Sequence, residues 1–198
     1  MKTYVATKND GKLAEMRAIF DSSPLELETF PAYEAVPEGE SDYISNALLK
    51  ARALQRQLHD AGIRAAVIAD DSGLEIAALG GRPGVLSARY AGEHATWNER
   101  RRALLDELRD VPYSRRGARF VSALALVLED GSELVADGSV DGLITRKECG
   151  EHGFGYDPLF LYPPAGLTFA ELSDERKNRC SHRRRAAEHL LALLSVHA

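Results

Sequence analysis

The stretch "AAVIADDSGLE", residues 65–75, joins an apolar run to two charged residues and is the most informative segment for the fold. The run at its start is short and uniformly apolar, which is typical of a buried strand. It ends at two adjacent carboxylates, Asp70 and Asp71, and Ser72 and Gly73 follow. Two like charges repel, and burial makes unpaired charges costly. The stretch therefore predicts a buried strand, residues 65–69, whose end carries two carboxylates that need a partner.

The flanking segments predict an α/β protein with a mixed sheet. Residues 3–7 and 25–30 are predicted strands, and apolar residues at helical spacing predict helices around residues 13–20 and from about Ser41 to Asp60. Thr96 and Glu99 form a capping box that starts another helix. Residues 118–146 predict two long strands that turn at residues 130–131. A hairpin among alternating helices and strands favours a mixed twisted sheet flanked by helices.

Composition narrows the class of protein. The chain has 198 residues, which suits a single domain, residues 1–198, with at most a division into two lobes. No apolar run approaches the roughly 20 residues of a membrane helix, and no signal core opens the chain. Two cysteines make no disulfide framework, so we expect a reduced cytoplasmic protein with no membrane partner. The net charge of −5 argues against a nucleic acid polymer and leaves open a small anionic ligand.

Two predicted helix starts carry positive charge. In "TKNDGK", Asn9 is a natural cap and Lys12 lies in the first turn, where a cation opposes the helix dipole. The turn could be an ordinary capped turn, but a bound phosphate would explain the lysine better. In "SHRRRA", Ser181 is the predicted cap, and His182 and Arg183 follow it, with Lys177 upstream. We expect Arg184 and Arg185 to form a solvated surface.

The "DDSG" segment has three interpretations. One aspartate could cap a following turn or helix while the other is solvated. The pair could hold Mg²⁺, which prefers carboxylate and phosphate oxygens. One carboxylate could instead orient or deprotonate a water molecule. Together with two basic helix starts, the metal and phosphate interpretation is the most economical, and Glu38 and Glu40 are the candidates to complete it.

The segment "GFGYDP", residues 153–158, places an aromatic ring between two glycines. Phe154 could stack on a nucleobase, and it could equally be a hydrophobic plug against the sheet. The six histidines show no zinc-ligand spacing, which argues against a zinc enzyme.

Taken together, several segments resemble the inosine triphosphate pyrophosphatase family, which hydrolyses non-standard purine nucleoside triphosphates. The matching pieces are "ATKNDGK", "NALLKAR", "ADDSGLEIAALGGRPGVLSARYAG", "GFGYDPLF" and "SHRRRA", in that order over nearly the whole chain. The resemblance implies a two-lobed α/β fold with a central active-site cleft, usually in a homodimer. It also implies Mg²⁺-dependent cleavage of dITP, ITP or XTP to the monophosphate and pyrophosphate, which removes deaminated purines from the nucleotide pool.

The resemblance further implies residue roles. Asp71 and Lys12 are the implied catalytic residues, and Asp71, Glu38 and Asp70 the implied metal ligands. The implied substrate-binding residues are Thr7, Asn9, Lys12, Ser72, Phe154, Tyr156, Asp157, Lys177, Ser181, His182 and Arg183. The order Glu38-Gly39-Glu40 leaves open which glutamate reaches the metal, and Ser45 stands where the family usually has an acidic residue.

Two other functions stay open at this stage. A Maf-like nucleotide pyrophosphatase would share the chemistry and differ in its preferred base. A catalytically silent nucleotide-binding module would bind the nucleotide and release nothing. Two carboxylates beside a lysine argue against the silent module, because an anion binder gains nothing from them unless a metal intervenes.

Overall fold

The computed structural model describes residues 1–39 and 42–197. Within these residues the strands are β1 (Lys2–Val5), β2 (Glu26–Glu28), β3 (Ala66–Ile76), β4 (Pro83–Gly84), β5 (Gly117–Val127), β6 (Glu133–Ile144), β7 (Phe160–Tyr162) and β8 (Leu167–Thr168). The α-helices are α1 (Asp10–Phe20), α2 (Tyr43–Asp60), α3 (Trp97–Glu107), α4 (Asp174–Cys180) and α5 (His182–His197). None of the helices in the described residues is long and apolar enough to cross a membrane.

The strands form one mixed sheet, as the sequence predicts. Its order is β2-β1-β3-β5-β6-β7-β8, with β4 paired to β3 off this path. Strand β1 runs parallel to both β2 and β3, whereas β4 pairs antiparallel to β3 and β7 pairs antiparallel to both β6 and β8. The predicted hairpin is confirmed, because β5 and β6 are neighbours joined only by residues 128–132.

The chain divides into two compact units. Unit 1 comprises Met1–Asp71, Ser122–Gly138 and His182–Ala198, and unit 2 comprises Ser72–Val121 and Ser139–Ser181. Strands β3, β5 and β6 each contribute residues to both units.

In unit 1, two separate apolar clusters use alternate residues of β3. Ala66 and Ile68 belong to a cluster with residues of α1 and α5, among them Met16 and Leu190. Val67 and Ala69 belong to a second cluster with residues of α2, which include Leu54. Successive side chains of a strand point to opposite faces, so α2 covers one face of this part of the sheet and α1 and α5 cover the other.

Unit 2 has its own core around an aromatic group. Phe120, Phe160 and Phe169 contact one another, with ring centroids 4.5 to 5.9 Å apart. Beside this core Arg116 is 2% exposed and donates hydrogen bonds to the carbonyls of Leu108, Val111 and Thr145. Its guanidinium thus satisfies three backbone acceptors that the chain turns inward.

The predicted end of the third strand is wrong. The strand does not stop at Ala69, because β3 continues through both aspartates to Ile76. The interpretation in which one of them caps a following helix is wrong for the same reason. The prediction rested on the cost of two buried charges, and buried cations on other elements offset that cost here.

Helix α2 starts close to its predicted position. Its cap is Asp42, whose carboxylate accepts from the Ser45 amide, and Gly62 follows its end with a φ of 74°. Ser41 and the alternative metal ligand Glu40 lie outside the described residues. The predicted start of α3 is confirmed by the capping box of Thr96 and Glu99.

Candidate active site

Asp70 and Asp71 lie next to each other in β3, but their side chains contact different helices. Asp70 contacts side chains of α1 and α5, and Asp71 contacts side chains of α2. The pleat of the strand explains this separation, since adjacent side chains leave the sheet on opposite faces. The side chains of the two carboxylates therefore have different hydrogen-bonding partners, although the residues are adjacent in the sequence.

Asp70 is the centre of a buried ionic network. The Arg183 guanidinium donates to both of its oxygens at 3.2 Å, and Lys12 Nζ lies 2.8 Å from Oδ2. Ser122 Oγ donates to Oδ1 at 2.6 Å. Arg183 also pairs with Glu15, so two cations and two carboxylates balance one another.

This network keeps Asp70 ionised. Burial by itself would raise the pKa of Asp70, but the charges of Arg183 and Lys12 hold that pKa well below its usual range. Both oxygens of Asp70 accept hydrogen bonds from protein donors. That Asp70 is a metal ligand stays a prediction.

Asp71 faces α2, where two side chains fix its orientation. Lys50 Nζ donates to Oδ1 at 2.8 Å, and Asn46 Nδ2 donates to Oδ2 at 3.1 Å. Lys50 also donates to Glu38 Oε1 at 3.0 Å and to the Asp70 carbonyl at 2.8 Å. Asn46 in turn accepts from the Gly39 amide, which ties the segment that bears Glu38 to α2.

The electrostatics of this group differ from those of Asp70. Burial raises the pKa of Asp71, and Lys50 and Lys12 oppose that rise only in part. Burial tends to lower the pKa of Lys50, but Asp71 and Glu38 outweigh it and raise that pKa. The Lys50 ammonium is shared by two carboxylates, those of Asp71 and Glu38. A cation would lower the free energy of such a group.

The residues of the first basic helix start lie together. Asn9 is the cap of α1 and accepts from the Lys12 amide at 3.0 Å, and Thr7 Oγ1 accepts from the Asn9 amide at 3.1 Å. Lys12 is predicted from the sequence to bind a phosphate, and in this structure it pairs with Asp70. The side chain of Lys12 is 17% exposed.

The second basic helix start is more buried than predicted. Helix α5 begins at His182, and Ser181, His182 and Arg183 are all buried. Each nitrogen of the Arg183 guanidinium contacts Asp70 or Glu15. We therefore expect Arg183 to hold Asp70 in place, and its contact with substrate stays a prediction. Arg185 is exposed, and Arg184 is half-buried against the Ile19 carbonyl.

In unit 2 the residues of the "GFGYDP" segment form an ordered loop. The Asp157 carboxylate is buried, accepts from the Phe154 amide at 2.8 Å and pairs with Lys177. Lys177 Nζ also lies 4.8 Å from the centre of the Phe154 ring, a cation–π distance. Gly153 has a φ of 71°, and a Cβ there would lie 2.2 Å from Asp157 Oδ2. Only glycine fits that position.

Tyr156 and Ser72 are the remaining predicted residues in unit 2. Tyr156 is 2% exposed, and its hydroxyl donates to the Ser87 carbonyl at 3.0 Å. This hydrogen bond connects the loop to the segment that contains Ser87. Ser72 is half-buried in β3. Their roles in substrate binding stay predictions.

Three further residues contact the site and were not predicted from the sequence. Lys50 and Asn46 surround Asp71, and Glu15 is the second partner of Arg183. Two of them could have been predicted from the sequence. Asn46 and Lys50 both belong to "NALLKAR" and are four residues apart, which places them on one face of a helix. A buried lysine on the otherwise apolar face of α2 requires a buried carboxylate partner.

The donor chemistry around Asp71 fits a magnesium ion. Asp71 and Glu38 offer carboxylate oxygens, which are the ligands that Mg²⁺ prefers. Among the described residues there is no group of three or more histidine, cysteine, aspartate or glutamate side chains that could hold a metal. One or two carboxylates suffice where substrate phosphates complete the coordination.

Known proteins are similar to this chain in sequence and in fold. The Ham1 family model matches residues 3–193. A dITP/XTP pyrophosphatase of Nocardia farcinica is 45% identical over 98% of this chain and 95% of its own length, and one of Geobacillus kaustophilus is 46% identical over 92% and 88%. The structure of the Staphylococcus aureus Ham1 protein superimposes with a TM-score of 0.84 at 36% identity, covering all of both chains. A HAM1 protein from Coxiella burnetii gives 0.85 at 37% identity over 98% of each chain.

Proposed function

The chain belongs to the Ham1 family, and on this basis we propose that it is a nucleoside triphosphate pyrophosphatase acting on non-standard purine nucleotides. The proposed substrates are dITP, ITP and XTP, and the products are the nucleoside monophosphate and pyrophosphate. Relatives named dITP/XTP pyrophosphatase, similar over nearly the full length of the chain, support the substrate class.

The observation that carries the proposal is the arrangement of Asp71, Lys50 and Glu38. A buried carboxylate is held by two side-chain donors, has a raised pKa and lies beside a second carboxylate. A raised pKa makes Asp71 a stronger base than an ordinary carboxylate. Fixed orientation and increased basicity are what a residue needs to position and deprotonate an attacking water molecule.

In the proposed reaction the residues of this chain bind and orient. Phosphoryl transfer depends mainly on positioning and on neutralising charge. Lys12 supplies positive charge at the start of α1, where free backbone amides also favour a phosphate. Lys50 holds Asp71 so that one of its oxygens can accept a proton from water. Arg183 acts indirectly, because it fixes Asp70, which in turn pairs with Lys12.

We propose that Asp71 and Glu38 hold the Mg²⁺ ion. When bound, the ion would neutralise charge on the phosphate oxygens and polarise them for attack.

Base recognition is proposed for the loop of residues 153–157 together with Lys177. A donor such as the Lys177 ammonium suits the 6-oxo group of hypoxanthine or xanthine and disfavours the 6-amino group of adenine. A buried site with hydrogen-bonding groups left unpaired by the wrong base can discriminate by several orders of magnitude. The Phe154 ring is proposed as the stacking surface. We also propose a cytoplasmic homodimer with one catalytic domain per chain, on the resemblance alone.

The test is a measurement of pyrophosphate released from dITP, XTP, dGTP and ATP by the purified protein, with Mg²⁺ and with EDTA. We expect fast release from dITP and XTP, slow release from ATP, and loss of activity in EDTA. Equal turnover of dITP and ATP would refute the proposed base preference. Activity that survives EDTA would refute the metal. Tight binding of dITP with no product would identify a silent binding module.

A further inference from the structure

The side of α3 that faces the loop of residues 153–157 carries two large side chains four residues apart, Trp97 and Arg101. Residues four apart on a helix lie on the same face, so both reach the same neighbour. Both contact the loop, although neither belongs to any of the motifs that mark the site in the sequence.

Arg101 binds the backbone of the loop directly. Its Nη1 donates to the Gly155 carbonyl at 2.9 Å, and its Nε lies 2.9 Å from the Glu148 carboxylate. A third contact, from Nη2 to the Asn98 side chain, fixes the guanidinium on its own helix. The side chain is 12% exposed, which strengthens these contacts relative to a surface ion pair.

Trp97 packs on the same part of the loop. Its ring meets Tyr156 edge to face, with the centroids 5.4 Å apart. The site where a Cβ would stand on Gly155 is 3.6 Å from the indole. On its other side the ring contacts Arg100, whose guanidinium lies 5.1 Å from the ring centre and donates to the carbonyls of Gly92 and Glu93.

The loop is therefore held from two directions. Asp157 and Lys177 fix it internally, and α3 fixes it from outside at Gly155 and Tyr156. Gly155 has a φ of 66°, in the left-handed region that favours glycine. A backbone held in this way keeps an aromatic side chain in one orientation before any ligand arrives, which lowers the entropic cost of binding.

We propose that Trp97 and Arg101 are positioning residues for base recognition, which set the affinity for the nucleotide by holding the 153–157 loop. This inference rests on the proposed function for its substrate, but the contacts themselves do not. Because neither residue touches the phosphate chemistry around Asp71, their loss should weaken binding and leave the chemical step nearly unchanged.

The experiment compares Arg101→Met with Arg102→Met. Arg102 is the exposed neighbour on the same helix, so its variant controls for the loss of one positive charge. Arg101→Met should raise KM for dITP about tenfold, the effect of losing one charge-assisted hydrogen bond, with kcat within about twofold. Arg102→Met should match the wild type. An unchanged KM in Arg101→Met would overturn the proposal, and so would an equal rise in both variants.

A second measurement needs no substrate. Trp97 is the single tryptophan of the chain, so the tryptophan fluorescence reports on the surroundings of this one ring. Acrylamide should quench it more strongly in Arg101→Met than in Arg102→Met, because the loop no longer covers the ring; equal quenching would overturn the positioning role. If the wild type releases no pyrophosphate from dITP, the proposed function fails, and this comparison still decides whether Arg101 holds the loop.

Arg101→Lys decides the matter if Arg101→Met does not fold. Lysine keeps the charge but lacks the planar fork that serves Gly155 and Glu148 together. An intermediate KM, about threefold above wild type, supports the proposal. A wild-type KM in Arg101→Lys would overturn it.

Discussion

Replacing Asp70 by asparagine should destabilise the protein far more than the same replacement at Asp71, although the two residues are adjacent and both buried. Asp70→Asn removes the charge that compensates Arg183 and Lys12 inside the protein. Removing one partner of a buried ion pair costs about 3–5 kcal/mol, because the other charge stays buried. For a protein of this size we expect Tm to fall by ~10 °C.

Asp71→Asn should behave in the opposite way. The pKa of Asp71 is raised in the folded protein, chiefly by burial, so its ionised form is less favourable there than in the unfolded chain. Removing that charge should change the free energy of unfolding by less than ~1 kcal/mol. Turnover should nevertheless fall by a factor of about 10² to 10⁴, the contribution typical of a general base.

Both variants should be compared with the wild type by thermal unfolding and by pyrophosphate release from dITP, measured at a temperature where all three proteins are folded. Asp70→Asn should then keep its turnover within about tenfold of wild type. Equal losses of Tm in the two variants would refute the division of roles between the two faces of β3. Full turnover in Asp71→Asn would refute its assignment as the base.

Three further predictions follow from the same contacts. Lys50→Met removes the main cation that favours ionised Asp71, so the acid limb of the pH–rate profile should move to higher pH. An acid limb that does not move would show that Lys50 does not control the protonation of the catalytic Asp71. Because the pKa of Asp70 is lowered in the folded protein, its ionised form stabilises the fold above the usual aspartate pKa, and this stabilisation is lost as the pH falls through the lowered pKa. Between pH 5 and pH 2, the free energy of unfolding in urea should therefore depend less on pH in Asp70→Asn than in the wild type. Arg116→Met removes three hydrogen bonds to inward carbonyls and should lower the free energy of unfolding by about 3 kcal/mol in denaturant titrations, and a loss below ~0.5 kcal/mol would contradict the role given to Arg116.

The sequence by itself determined the fold class, because the relevant signals are local. Apolar runs, helical spacing, the capping box at Thr96 and the turn at Asp130 each act within a few residues, and each predicted element has a counterpart in the structure. The motifs also identified the family, since their residues and order suffice for recognition.

Only the tertiary structure decided what Asp70 and Asp71 do. In the sequence they are two adjacent like charges, and a shared metal was the most economical explanation for them. The pleat of β3 sends Asp70 to Arg183 and Lys12 and sends Asp71 to Lys50 and Asn46. These partners lie 113 and 21 residues away for Arg183 and Lys50, and no local pattern encodes such separations. Burial and long-range pairing therefore gave the two neighbours opposite pKa shifts and, on the proposed mechanism, different roles.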